Sequence, residues 1–144
     1  MTVIESNSIN FDVSVPVAIV GAGAAGLVAA LSLSDIGISP LVLERDKVPR
    51  GSTGLSSGMI PACRTNIQAQ KGIEDSIELL TSDIVNKAKG QVNLELVDAI
   101  CRTSGPIIDW LVKTHAIELT LVEGFIYPGH SKLRMHAPPS RQGI

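Results

Sequence analysis

The chain has 144 residues, 44% of them hydrophobic, enough for about one domain with a buried core. Its 12 basic and 14 acidic residues leave a formal charge of −2, which excludes a general electrostatic attraction to nucleic acid. Four aromatic residues (Phe11, Trp110, Phe125 and Tyr127) are too few for a base-stacking platform.

Residues 1–14 read as a loose leader. The first twelve carry Glu5 and Asp12 but no Lys or Arg, so they are not a signal peptide. No charged residue occurs from Val13 to Ser34, a span of 22 residues that could cross a membrane on length alone. Pro16 and three closely spaced glycines argue against that. The run Val17-Ala-Ile-Val-Gly21-Ala-Gly23-Ala-Ala-Gly26 instead predicts a short buried strand, a tight turn and the start of a helix. Such a turn offers backbone N–H groups and the positive end of a helix dipole to a pyrophosphate. Gly21 permits the sharp turn, Gly23 lets the backbone approach phosphate, and Gly26 lets the helix pack closely on the strand. Ala30 keeps that contact close one turn later. Gly37 suits a left-handed helix cap. A second strand, Leu41-Val42-Leu43, ends in Glu44, 18 residues beyond Gly26, where a carboxylate accepts hydrogen bonds from the two ribose hydroxyls of an adenosine.

The basic cluster Arg45, Lys47 and Arg50 reads as a solvated loop, with Arg45 a candidate for the adenosine end. The small-residue stretch Arg50-Gly-Ser-Thr-Gly-Leu-Ser-Ser-Gly58 cannot form a core, but it can wrap backbone around something polar. A helical segment is expected over 74–115. Asp75 with Glu78 resembles a capping box, followed by Ile77, Leu80, Ile84 and Ala88 at helical spacing and Gly90 as the stop. Asn93 caps a second helix carrying Leu94, Val97, Ile100 and Cys101. Gly105-Pro106 is expected to break it and start a third, with Ile107, Trp110 and Leu111 facing the core. His115 suits a helix end, where the dipole favours it. Ile117, Leu119 and Leu121 alternate as in a short strand. The tail from Gly124 shows no clear periodicity. Cys63 and Cys101 lie in no metal-ligand spacing and read as reduced, partly buried thiols in a cytoplasmic protein. No metal site is expected.

The adenosine diphosphate half is shared by NAD, NADP and FAD, and Glu44 disfavours only the 2′-phosphate of NADP. The pattern Gly21-x-Gly23-x-x-Gly26, Ala30, Gly37 and Glu44 resembles the FAD fingerprint of two-dinucleotide-fold flavoproteins. Gly51-Ser-Thr-Gly-Leu-Ser-Ser-Gly-Met-Ile-Pro-Ala62 resembles the flavin loop of the fumarate reductase/succinate dehydrogenase flavoprotein group, which includes the 3-ketosteroid dehydrogenases. Gly72-Ile-Glu-Asp-Ser76 and Gly129-His-Ser-Lys-Leu-Arg-Met-His136 are similar to later segments of that group. The resemblance runs from Pro16 onward.

It implies an α/β, Rossmann-like FAD-binding domain (a parallel sheet with helices), incomplete, plus a helical segment. Residues 15–62 would form the βαβ unit and flavin loop within a partial FAD-binding domain over 15–144, with the substrate domain absent. The implied cofactor is FAD. The implied cofactor contacts are Gly21, Gly23, Ala24, Ala25 and Gly26 around the pyrophosphate, Glu44 and Arg45 at the adenosine, Ser52 and Thr53 at the diphosphate, Ser57 in the flavin loop, and Gly58 and Met59 toward the flavin ring. Arg50 and Met59 stand where the group usually has glycines, and Met59 adds bulk at the expected ring edge. The implied chemistry is hydride transfer at flavin N5 with a CH–CH or enoyl-type small-molecule substrate and an electron-transfer partner.

No residue here matches the group's catalytic acid. His130, Arg134 and His136 could face a carboxylate substrate, but an exposed loop or a contact with a further domain is the simpler reading. The chain stops in mid-pattern, so a truncated product that binds FAD weakly and does not turn over substrate is expected. The competing readings are an NAD-dependent Rossmann dehydrogenase and a non-catalytic nucleotide-binding remnant.

Overall fold

A computed structural model describes residues 10–49 and 51–143. It divides into two compact units, Met1–Thr53 and Gly54–Ile144, each described by itself. The leader expectation over residues 1–9 and the Arg50 substitution lie outside the described residues.

The first unit runs β1 (Ala18–Val20), α1 (Ala24–Asp35) and β2 (Leu41–Leu43). The two strands pair in parallel, with Ala18 opposite Leu41 and Val20 opposite Leu43. Two parallel neighbours need a crossover, and α1 supplies it. The helix ends where expected. Gly37 takes φ +78°, its N–H donates to Ser34 O at 3.0 Å, and the Ile38 N–H donates to Leu33 O at 2.9 Å. This double bond pattern is a Schellman cap, which satisfies the last carbonyls of the helix. Among the described residues of this unit only Ala22 is buried, and Val20 is 86% exposed.

A short helix α2 (Ser52–Leu55) spans the boundary between the units. The second unit contains β3 (Ile60–Pro61), α3 (Asn66–Gln70), α4 (Ile77–Lys87), α5 (Leu94–His115), β4 (Thr120–Leu121) and β5 (Met135–Ala137). The three strands form an antiparallel sheet in the order β3-β5-β4, with His136 opposite both Ile60 and Leu121. The tail without periodicity therefore holds the central strand. All three of its residues are buried, His136 included, so neither face is solvated.

Three helix expectations change. Asp75 does not cap α4; Ser76 does, its hydroxyl accepting the Leu79 N–H at 3.0 Å. Asp75 is drawn instead to Arg134, far away in sequence. Gly105-Pro106 does not break α5, which runs through both residues. A Cβ on Gly105 would lie 2.3 Å from the Cys63 carbonyl oxygen, so its glycine serves close packing of helix on chain rather than a turn. Pro106 removes one helical N–H donor, and the residue whose carbonyl loses it, Arg102, is exposed to water. The core face of α5 then passes through Val97, Cys101, Ile108 and Leu111, with Ile107 left 37% exposed. Trp110 is half-buried, its ring edge-on to His115 at 4.5 Å. Asn93 caps α5 as expected, accepting the Leu96 N–H at 3.1 Å.

The core of the second unit gathers Cys63, Leu80, Val97 and Cys101. Both cysteines are free and buried; burial, the largest influence, pushes the Cys63 thiol pKa up. No helix among the described residues is long and apolar enough to cross a membrane.

Candidate functional site

The glycine turn of the first unit is built by strand pairing. The Val20–Leu43 register brings Gly21 and Ala22 alongside the end of β2, and the Gly21 N–H donates to Leu43 O at 2.7 Å. Gly21 sits at φ +100°, a conformation that side chains other than hydrogen rarely adopt. A Cβ on Gly26 would lie 2.0 Å from the Gly21 carbonyl oxygen and 3.2 Å from Ile19 Cγ2. Only glycine lets α1 approach the turn this closely. At Gly23 the constraint differs: a Cβ there would meet only Thr53 Oγ1, at 3.7 Å. Its missing side chain relieves no crowding and leaves the space in front of the helix open.

Gly23 is the N-cap of α1 and offers no side-chain acceptor. Thr53 supplies one, its Oγ1 accepting the Ala24 N–H at 3.0 Å. The N–H groups of Gly23, Ala25 and Gly26 have no acceptor among the described residues. Beside them stands Glu44. One carboxylate oxygen accepts the Ala22 N–H at 2.9 Å and the other accepts the Asp46 N–H at 3.0 Å. These backbone donors, Asp46 first and Ala22 next, hold the Glu44 pKa below its ordinary value. A carboxylate has room for about four hydrogen bonds, so two oriented oxygens keep acceptor capacity for a vicinal diol.

Sequence reading does not single out Ala22. Its role comes from register, which no local pattern displays. Arg45 is 91% exposed at its side chain and lies 3.5 Å from Asp46. Ser52 is exposed in α2. The donor set therefore fits a diphosphate joined to a ribose: anion-seeking N–H groups at a helix N-terminus, next to a carboxylate at the following strand end.

Ser57, Gly58 and Met59 belong to the second unit. Ser57 is exposed and Met59 half-buried. Gly58 takes φ +65°, and a Cβ there would lie 2.8 Å from Gln142 O. Its N–H donates to Ser56 Oγ at 3.1 Å.

Of the three polar candidates near the C-terminus, His130 sits in a turn that follows exposed residues, whereas Arg134 and His136 do not lie on an exposed loop. Arg134 and His136 are both 0% exposed. Arg134 binds Asp75 with two N–H groups, at 2.6 and 2.7 Å, and donates a third to Asp83. Ser131 caps Asp83 with its N–H at 2.7 Å and its hydroxyl at 2.6 Å. Gln68 donates to Asp75 at 3.2 Å and to Leu133 O at 2.9 Å. The His136 Nδ1–H donates to Arg134 O at 2.8 Å, which leaves Nε2 to accept from the Thr65 hydroxyl at 2.9 Å. Burial lowers the His136 pKa, in keeping with this neutral tautomer. The two side chains tie β5 to α3 and α4 rather than face a substrate. Two-residue alternation from Arg134 to His136 is the one sequence trace of the strand that buries them.

A family model described as FAD binding domain matches residues 16–138. Over 129 residues the chain is 32% identical to the urocanate reductase of Eggerthella lenta, covering 90% of this chain and 21% of that protein. The open conformation of a flavocytochrome c3 fumarate reductase superposes with a TM-score of 0.75 at 24% identity, over 90% of this chain and 23% of that one. The 3-ketosteroid-Δ4-(5α)-dehydrogenase of Rhodococcus jostii RHA1, in complex with 4-androstene-3,17-dione, matches with a TM-score of 0.67 at 28% identity, over 74% of this chain and 23% of that one. The chain spans about a fifth of the length of the curated relatives it matches.

Proposed function

The chain belongs to the FAD binding domain family, and we propose that it forms the N-terminal FAD-binding portion of a flavin-dependent oxidoreductase with a Rossmann-like nucleotide site. Its cofactor is FAD. The observation that carries the reading is the Glu44 carboxylate held on the Ala22 N–H, beside N–H groups that lack acceptors among the described residues.

In this reading the Gly23, Ala25 and Gly26 N–H groups bind the diphosphate, with Gly21 and Ala24 shaping the turn. Glu44 accepts from the adenosine ribose, and Arg45 borders it. Ser52 and Thr53 flank the diphosphate. Ser57 is assigned to the flavin loop, and Gly58 and Met59 toward the flavin ring, on the family resemblance alone. Bound FAD supplies two-electron chemistry, exchanging hydride through N5. The substrate class we propose is a compound with a CH–CH bond or its alkene counterpart, supported by relatives named for urocanate, fumarate and a ketosteroid. Turnover then needs an electron-transfer partner to restore the flavin. The two unpaired buried thiols favour a reducing, cytoplasmic setting.

We further propose that the 144-residue chain by itself binds FAD weakly and does not turn over substrate, because its nucleotide-binding unit buries little of its own surface. Titration of the chain with FAD, NAD and NADP, read by calorimetry, tests both statements. FAD should bind in preference, and Glu44→Ala should weaken it. Preference for NAD would reject the flavin reading, and tight FAD binding with turnover would reject the second statement.

A further inference from the structure

We propose that His130 is a pH-sensitive latch, holding the turn from Tyr127 to Ser131 on α4 while its ring is neutral and releasing that turn when the ring takes up a proton. The turn is well defined. Pro128 and Gly129 occupy its centre, Gly129 at φ +95°, and the His130 N–H closes it on Tyr127 O at 2.8 Å. Proline then a left-handed glycine is the signature of a type II turn.

Two side chains of α4, four residues apart and so on one helix face, grip the turn. Asp83 holds Ser131 through its N–H and hydroxyl. Lys87 donates to Pro128 O, and its ammonium lies 4.7 Å from the centre of the Tyr127 ring. Gly129 rests on the Lys87 stem, where a Cβ would come within 2.7 Å of Cδ.

The His130 ring is packed 5.3 Å from the Tyr127 ring. Its Nδ1 is buried from solvent and has no hydrogen-bond partner among the described residues. A bare imidazole nitrogen there is tolerable, whereas a proton on it creates a buried N–H without an acceptor, beside other cations. The facing charges are Arg134, Asp83, Lys87 and Asp75. The two carboxylates do not offer relief: Asp83 is engaged by Ser131 and Arg134, and Asp75 by Arg134 and Gln68. Burial, then the Arg134 charge, lowers the His130 pKa. The released form has an ordinary imidazole and takes the proton more readily, so acid favours release. Release frees Ser131 from Asp83, which links the turn to the buried Arg134 cluster.

Amide hydrogen exchange at His130 and Ser131, followed by NMR on the full chain, tests this. With the intrinsic pH effect divided out, opening should rise by up to about tenfold between pH 7.5 and 5.5, the limit set by an ordinary imidazole pKa of about 6.5. Core amides of α5 should stay far better protected than the turn at both pH values, which separates local opening from unfolding, and His130→Ala should abolish the rise with His136 still present. Unchanged pH dependence in the variant would overturn the latch. So would a wild-type His130 ring that titrates at the ordinary value, a readout that holds even if the variant loosens the turn at every pH.

Discussion

The two units of this chain are held together in different ways. The first is a strand–helix–strand crossover in which Ala22 is the one buried described residue and α1 buries none. Its shape rests on backbone geometry: a left-handed Gly21, a Gly26 that admits no side chain, and a Schellman cap. The second unit encloses an apolar core together with a fully buried arginine and two aspartates at or below a tenth exposed. The contrast shows that a glycine turn can be specified locally, by steric necessity at a few glycines, with little burial among the described residues around it. A buried charge cluster cannot be specified so, because its partners come from distant parts of the chain.

The largest effect that should separate the units is Arg134→Ala. It leaves Asp75 and Asp83 buried without their counter-ion, and removing one partner of a buried ion pair costs about 3–5 kcal/mol. Urea unfolding followed by Trp110 fluorescence should show a clearly lower midpoint; an unchanged midpoint would mean that the cluster is not what orders the second unit. Gly105→Ala comes next. The new methyl meets the Cys63 carbonyl, and overpacking of this kind costs about 1–3 kcal/mol, against helix propensity that would otherwise favour alanine. Stabilisation by this change would show that the contact yields easily.

Gly26→Ala should act in the opposite compartment. We expect FAD affinity to fall roughly tenfold or more, about 1.4 kcal/mol per decade, while the Trp110 unfolding transition stays in place. Loss of both together would break the separation of the units. Smallest is a difference in pH response. The folded His136 pKa is lowered, so unfolded chains bind the proton first as pH falls. The stability that neutral His136 contributes is full above about pH 6.5 and declines below it. The Glu44 pKa is also lowered, but for a carboxylate this means its contacts persist above the ordinary range near pH 4.3 and are lost as pH falls through the lower folded value. Between pH 8 and 5 the urea midpoint should therefore drop while the Ala22 and Asp46 amide shifts stay fixed. Amide shifts that move with an apparent pKa near 6 would contradict this.

The elements of the first unit were legible because each reports on its own neighbourhood. Gly21, Gly26, Gly37 and Glu44 state a turn, a close approach, a helix end and an acceptor in linear order. Asn93 and the apolar spacing of α4 were legible for the same reason. Asp75, Gly105 and the Arg134–His136 segment are not legible in this way, because local rules do not hold for residues that answer to distant ones. Asp75 has the chemistry of a cap but is held by Arg134. Gly105 has the chemistry of a breaker but packs on Cys63. Arg134 and His136 have the chemistry of a substrate site but are buried in and just before the central strand, on Asp75 and Asp83 and on Thr65.

The amino-acid order alone thus determined the crossover unit, its glycine turn and the family to which these belong, since backbone conformation and helix capping act over a few residues. Tertiary structure decided which polar groups are buried and with whom, including the Ala22–Glu44 bond and the arginine cluster. The physical reason is that desolvating a charge is acceptable only when partners converge on it, and convergence is a property of the folded chain.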